Sequence, residues 1–412
     1  MAQPERSVRQ ASLREHNLAL LLSEILRASA PPSRAELAGR LGLARPTVSD
    51  LVDRLITAGM VRELTPATNR SAGRPGVPLA GSAAGFVAYG LEINVNHLGV
   101  CAMALNGEVL AEETSTHRWR NASVADVNEA LTELSSPVVR RTSAGRTVVG
   151  ACVSIPGLIN SGTGVVQFAP NLGWRHQDVA AGLRTRKPFV RWDIEVANDA
   201  DLGARAEMEA GRERSFVYLS GEAGLGGAVV IEGTTMAGEH GWSGEIGHIC
   251  VDADPAGRRC SCGATGCLEQ YLGTEALLRD AGILGRSTTA GRRTGADQVQ
   301  LLLAALVATD QQSLDTMAEA GRLLGIALAG VINLVDVDAV VLGGPLGLLF
   351  PYLEVTLTTE LKRRVITARW RTLTVRPAAA GPLGAARGAA LVTLDRLIGR
   401  PTGWLGAGSA AG

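Results

Sequence analysis

Gly244-Glu245-Ile246-Gly247-His248, followed by Cys260-Ser261-Cys262-Gly263-Ala264-Thr265-Gly266-Cys267-Leu268-Glu269, is the stretch on which the reading of this chain turns. One imidazole and three thiols fall within a short window, with glycines at the turns between them. Soft thiolates and an imidazole at this spacing form the ligand set of a closed tetrahedral Cys₃His zinc site, so His248, Cys260, Cys262 and Cys267 are the expected metal ligands. A cluster of buried thiols or a disulfide is the competing reading. The absence of an export signal speaks against it. Two carboxylates, Glu245 and Glu269, flank the ligands and would be held in fixed positions by a structural zinc ion. Such fixed acids point to a polar small-molecule pocket.

The pattern Gly-Glu-Ile-Gly-His with Cys-x-Cys-Gly-x-x-Gly-Cys-x-Glu resembles the signature of the ROK family (repressor, open reading frame, kinase). That family contains bacterial sugar kinases and sugar-responsive repressors. The resemblance implies an α/β body with the actin-like (ribonuclease H-like) two-lobed sugar kinase fold. In the repressor branch, an N-terminal all-α or winged helix DNA-binding domain precedes that body.

Composition sets the outer bounds. A chain of 412 residues has room for two or three domains. Its 46% hydrophobic content and the lack of a long uninterrupted apolar run predict no membrane span. The N-terminus lacks the apolar core of a signal peptide, which predicts a cytoplasmic location. Net charge is zero, but residues 1–78 hold eleven Arg against seven acids, an excess of four positive charges. Cys101, Cys152 and Cys250 lie in apolar stretches and are expected to be buried free thiols.

That basic segment reads as a DNA-binding unit. Residues 14–28 have helical apolar spacing at Leu18, Leu21, Leu22, Ile25 and Leu26, and Pro31-Pro32 stops the helix. Ser33 and Glu36 form a capping box that opens a second helix. Gly42 turns the chain, and Pro46 starts a third helix through Leu55. Two short helices with a glycine turn match a helix-turn-helix, with Arg45, Thr47 and Ser49 able to donate to phosphates or base edges. Residues 69–76, rich in Gly, Arg and Pro, read as a wing that brings Arg74 to the minor groove. The expected division is 1–80 for the DNA-binding domain, 81–85 for a linker, 86–200 and 201–400 for the two lobes, and 401–412 for a flexible tail.

In the body, the alternating stretch 86–105, the turn Asn106-Gly107, the strand 109–114, a helix near 123–134 and the strand 147–155 give a β-β-β-α-β opening. The resemblance assigns further roles. Kinases of the family carry an Asp-x-Gly-Gly-Thr phosphate loop where this chain has Glu92-Ile93-Asn94-Val95-Asn96-His97. Side chains at 94 and 95 then replace glycines that would let backbone approach a phosphate. In Ser220–Gly227, Glu222 and Ala223 stand where those kinases usually have Gly and Thr, and Gly343-Gly344 resembles the adenosine-side turn. The sugar side is retained: Asn171, Asn198, Asp199, Glu245, His248 and Glu269 would ring one sugar, with Asp199 at the position of the kinase base.

These readings lead to a DNA-binding repressor of carbohydrate metabolism genes. It would be a homodimer or homotetramer, would bind double-stranded operator DNA and would answer to a sugar or sugar phosphate. It would not be an enzyme. A bifunctional ATP-dependent sugar kinase, or a repressor with a vestigial pocket under the control of a protein partner, are the alternatives the sequence leaves open.

Overall fold

The computed structural model describes residues 10–65, 76–211, 213–221, 224–286 and 295–406. Glu222, Ala223, Arg74 and most of the expected wing lie outside the described residues.

Three helices come first: α1 (Gln10–Arg27), α2 (Arg34–Leu41) and α3 (Arg45–Thr57). Ser33 caps α2 in the expected box with Glu36, and Gly42 closes that helix at a φ of 64°. A two-stranded antiparallel ribbon follows, made of β1 (Val61–Glu63) and β2 (Leu79–Gly81). Arg34 pairs with Asp53 at 2.6 Å and also with Glu63, joining α2 to α3 and the ribbon.

The first lobe contains β3 (Phe86–Ile93), β4 (His97–Ala104), β5 (Val109–Thr116), α4 (Val124–Thr142) and β6 (Thr147–Ile155). It continues with a small sheet of β7 (Leu158–Ile159), β8 (Val166–Ala169) and β9 (Trp174–Gln177), then α5 (Val179–Arg184), β10 (Ile194–Asn198) and α6 (Asp199–Ala210). Helix α4 runs past its expected end at 134 and carries Pro137 inside. Just before it, Ser135 and Ser136 donate back to Leu131 O and Thr132 O, each at 2.7 Å.

The second lobe contains β11 (Phe216–Gly221), β12 (Leu225–Ile231), β13 (Thr234–Thr235), and a 3-10 turn at Ile246–His248. Helices α7 (Glu269–Leu272), α8 (Thr274–Asp280), α9 (Ile283–Arg286), α10 (Gly295–Val307) and α11 (Gln311–Val335) come next. The chain goes on through β14 (Ala339–Gly343), α12 (Gly344–Arg364), β15 (Thr374–Pro377) and α13 (Gly384–Gly399). Helix α11 is long and apolar enough to cross a membrane by length and composition, but over half of that stretch is buried inside the fold. It packs along α12 in the core of the second lobe.

The two large sheets repeat one topology. Their orders are β5-β4-β3-β6-β10 and β13-β12-β11-β14-β15. In each, an antiparallel meander is extended by two parallel strands. This duplicated arrangement is the actin-like, ribonuclease H-like body expected above. Helices α6 and α13 cross where the lobes meet. At the crossing, a Cβ on Gly388 would lie 1.8 Å from Leu202 O, so only glycine allows the two backbones this close.

Helix α13 also anchors the N-terminal helices. Leu18, Leu21 and Leu22 of α1 share one core with Leu391, Leu394 and Leu397 of α13 and with Phe86 and Met103 of the first sheet. The chain after α13 differs from the flexible tail expected at 401–412. Pro401–Trp404 forms a buried-edged 3-10 turn, with Trp404 packed edge-on against Phe86 at 6.2 Å and Thr402 N–H donating to Glu15. Trp404 is a large apolar surface, and burying it outweighs the freedom of the surrounding glycines. Residues 407–412 lie outside the described residues. The expected linker is likewise packed: Gly81 ends β2, Ser82 is buried and Gly85 lies against Gly59.

Candidate functional site: a metal clip beside an acidic cleft

The clip forms where the loop after β13 folds back on β12. Gly244 and Gly247 lie too close to β12 for side chains, since a Cβ would fall 2.4 Å from Gly227 O and 2.1 Å from Leu225 O. This close contact seats the turn that carries Glu245 and His248. The ligand atoms of His248, Cys260, Cys262 and Cys267 all lie within 4.8 Å of one another. Cys260 Sγ is 3.6 Å from His248 Nδ1, and Cys262 Sγ is 3.8 Å from Cys267 Sγ. A tetrahedron with metal–sulfur bonds of about 2.3 Å and metal–nitrogen bonds of about 2.05 Å has edges of about 3.6 and 3.8 Å. The four residues therefore fit a single metal ion. Arg258 braces the outer loop, pairing with Asp280 of α8 at 2.9 Å, donating to Gln270 O and stacking over Tyr271.

Burial pushes the Cys101 and Cys152 thiols up to about 12, as expected of inert core cysteines. Cys250 departs from the expectation. It is exposed, because its segment forms an isolated bridge at the rim of the clip and not a core strand.

A cleft of about 120 Å³ opens between the lobes beside the clip. All six residues expected to ring a sugar line it: Asn171, Asn198, Asp199, Glu245, His248 and Glu269. His248 turns Nδ1 to the clip and Nε2 towards Glu245, 3.8 Å away. Glu269 accepts the Leu225 N–H at 3.2 Å. Asn198 also has a local task. Its Oδ1 caps α6 at Ala200 and Asp201, and its Nδ2 donates to Gly157 O, which together fix the start of α6 and hence Asp199.

The sequence reading missed Tyr218 and the Gly381–Ala385 wall, and it named Asn94 and Ser220 only within nucleotide-side loops. Glu92 entered it only as part of an altered loop. In the fold, Glu92 accepts the Ala386 N–H in the first turn of α13 at 3.2 Å and lies 3.2 Å from His97 Nε2. Behind the wall, fully buried Glu207 of α6 accepts the Ala380 N–H at 2.5 Å and pairs with Arg376 at 3.0 Å. Gly343-Gly344, at the junction of β14 and α12, also reaches the cleft through Gly344. Ser220 and Gly221 end β11, Leu225 starts its antiparallel partner β12, and Glu222 and Ala223 lie outside the described residues.

The cleft is strongly acidic. Burial, with Glu92, Glu245 and Asp201 nearby, raises Asp199 to about 7 against the opposing Ala200 N–H. Burial and Glu245 raise Asp201 to about 7. Glu245 is also raised by burial, with His248 pulling it down and Glu269 pushing it up. Among the described residues, no Lys or Arg lines the cleft.

A two-lobed body of duplicated sheets, with an acidic cleft between them and a His–Cys₃ cluster that could hold a metal at its rim, places the chain among the sugar-kinase-like actin folds. The profile described as "ROK family" matches residues 88–396, and the chain belongs to that family. The xylose repressor of Bacillus subtilis (strain 168) is 26% identical over 392 residues, covering 94% of this chain and 97% of that protein. A crystal structure of a ROK family transcriptional regulator, described as a homologue of the Escherichia coli MLC protein, shares the fold with a TM-score of 0.76. It is 24% identical and covers 95% of this chain and 99% of that one. A ROK family glucokinase from Streptomyces griseus, solved with glucose and AMPPNP, matches with a TM-score of 0.62 at 25% identity, over 74% of this chain and 98% of the kinase.

Proposed function

We propose that the chain is a DNA-binding transcriptional repressor of carbohydrate metabolism genes, relieved or engaged by a sugar held between the lobes of a body that no longer acts as a kinase. The observation that carries this reading is the double attachment of α13. Its first turn walls the cleft and binds Glu92, and its flank is the surface on which α1 is seated. A sugar that favours one lobe angle therefore biases the placement of the DNA-reading helices. It shifts that equilibrium only by its difference in affinity for the two forms.

On the DNA side, α2, the Gly42 turn and α3 form the helix-turn-helix, and β1 and β2 form the root of a wing whose expected minor-groove residue, Arg74, lies outside the described residues. Helix α3 starts at Ala44 without a side-chain cap, leaving its first N–H groups available to a phosphate. Arg45 and Thr47 are exposed beside them, and Ser49 is half-buried. Two such units in a homodimer or homotetramer would read the halves of an operator. The working division is 1–80, 86–200 and 201–400, with α13 returning from the last of these to the first sheet.

On the sugar side, Asn171, Asp199, Glu245, His248 and Glu269 supply the acceptors and donors that buried hydroxyls need. A cleft with several acids and no lining cation favours an unphosphorylated sugar. The clip ligands His248, Cys260, Cys262 and Cys267 hold structural zinc, which would fix Glu245 and Glu269 in place. Nucleotide chemistry is disfavoured because Val95 is buried in the altered loop and the Glu92 carboxylate occupies the α13 N-terminus, repelling phosphate. The second reading, a bifunctional sugar kinase, draws on the retained Asp199 and the likeness to the glucokinase.

Thermal unfolding of the zinc-loaded protein against a panel of free and phosphorylated sugars, with and without ATP and Mg²⁺, tests both. A sugar at a hundred times its dissociation constant adds about 2.7 kcal/mol of stability. A shift with one free sugar, unaltered by ATP, is the expected result. A further shift on adding ATP supports the kinase, and no shift with any sugar overturns the sensor.

A further inference from the structure

Cys250 is exposed and outside the metal cluster, yet it stands directly opposite the ligand Cys267 in an antiparallel bridge. Val251 N–H donates to Gly266 O and Leu268 N–H donates to Ile249 O, each at 2.9 Å. These two bonds flank the cysteines and do not join them, so Cys250 and Cys267 form a non-hydrogen-bonded pair. In such a pair the Cα atoms are about 4.5 Å apart and both side chains leave the same face. A disulfide needs a Cα separation of about 4.4–6.8 Å. The pair is therefore within bonding reach by side-chain rotation alone. In the reduced form, the Cys250 thiol is turned aside and donates to Asp252 O at 3.3 Å.

We propose that Cys250 is a hydroperoxide-sensing thiol whose oxidation ends in a Cys250–Cys267 disulfide, withdrawing one ligand from the zinc clip. The inference rests on the zinc reading given above. In the first step, the Cys250 sulfur attacks one peroxide oxygen, the O–O bond breaks, and a sulfenic acid and one water form. In the second, the Cys267 sulfur attacks the sulfenic sulfur. The S–S bond forms, the S–O bond breaks, and the oxygen leaves as a second water with a proton taken from solvent in place of the metal. The two sulfurs together lose the two electrons that the peroxide gains. His248, Cys260 and Cys262 are then left as an incomplete ligand set. Glu269, two residues beyond Cys267, loses the anchor that holds it in the cleft. The device would uncouple the protein from its sugar under oxidation.

The test treats the zinc-loaded full chain with hydrogen peroxide, follows released zinc with a chromogenic chelator and maps disulfides by mass spectrometry after digestion without reduction. A linked Cys250–Cys267 peptide should appear in step with zinc release, and dithiothreitol with zinc should reverse both. Cys250→Ser should bind zinc normally and release it several-fold more slowly. A Cys262–Cys267 or Cys260–Cys262 linkage in its place, or zinc release from Cys250→Ser at the unaltered rate, overturns the proposal. Protein that carries no zinc before peroxide overturns the zinc reading instead, and the disulfide map of the same sample still decides the pairing. If Cys250→Ser fails to fold, dimedone trapping on the unaltered chain replaces it: a label on Cys250 is expected, and a label only on the other thiols refutes the assignment.

Discussion

The crossing of α6 and α13 offers a strong perturbation in a single methyl group. In Gly388→Ala, the new Cβ would fall 1.8 Å from Leu202 O and 2.5 Å from its carbonyl carbon. Contacts below 3.0 Å are essentially never seen for Cβ, so the helices must part by about 1.2 Å at that point. Both obstructing atoms are backbone, and no rotamer change relieves them. Overpacking of this kind costs about 1–3 kcal/mol, and the upper end applies here. Gly384, four residues before the crossing, lies only about 6 Å along the helix. The displacement should therefore reach the cleft wall at Gly384 and Ala385 with little loss. Urea unfolding should show about 3 kcal/mol less stability. Titration calorimetry with the sugar found in the thermal screen should show weakened binding, and operator anisotropy should respond less to that sugar. If Gly388→Ala unfolds like the unaltered chain and binds sugar with the same affinity, the account of the α6–α13 crossing is wrong.

Other consequences are testable in the same way. Cys262→Ser should lose its zinc by atomic emission and lose the sugar response; metal-free protein that still responds normally would sink the role given to the clip. Asp199 is raised to about 7 in the fold, against about 3.9 in an unfolded chain, so the native state holds the extra proton between those values and stability falls as pH rises from about 4 to 7. Asp199→Asn should flatten that slope and gain about 1–2 kcal/mol at pH 8, a figure reduced from the full shift because cleft water reaches the carboxylate; an unchanged slope in thermal scans counts against it. Arg45→Ala should weaken operator binding at every sequence and lower the salt slope by about one unit while sugar affinity stays the same. A variant with unaltered slope would remove Arg45 from the interface.

Features carried by neighbouring residues were legible in the sequence. The clip could be read because three of its ligands lie within eight positions, and thiolates at that spacing have few other uses. The Ser33–Glu36 box and the Asn106-Gly107 turn depend on residues three or fewer apart, and both formed where expected. Contacts between distant residues were not legible. Nothing near Glu92 announces that its carboxylate meets Ala386, nor does the spacing of α1 reveal that its apolar face needs α13. Asn198 was legible as a cleft residue, but its second task as the cap of α6 was not drawn from the dipeptide Asn198-Asp199, although Asn is a favoured cap. Cys250 looked like a core residue because its neighbours Ile249 and Val251 are apolar. Its exposure follows from a bridge whose partner strand lies beyond the intervening loop.

The seating of α1 on α13 has a consequence for synthesis. The three N-terminal helices leave the ribosome more than three hundred residues before α13, one of the surfaces they dock on. At about 5–20 residues per second, that interval is roughly 20–70 s. During it, α1, α2 and α3 have each other, the β1–β2 ribbon and then the first sheet, and the α1 surface that will meet α13 remains uncovered. A nascent chain thus carries its N-terminal helices well before it carries the helix that ties them to the cleft.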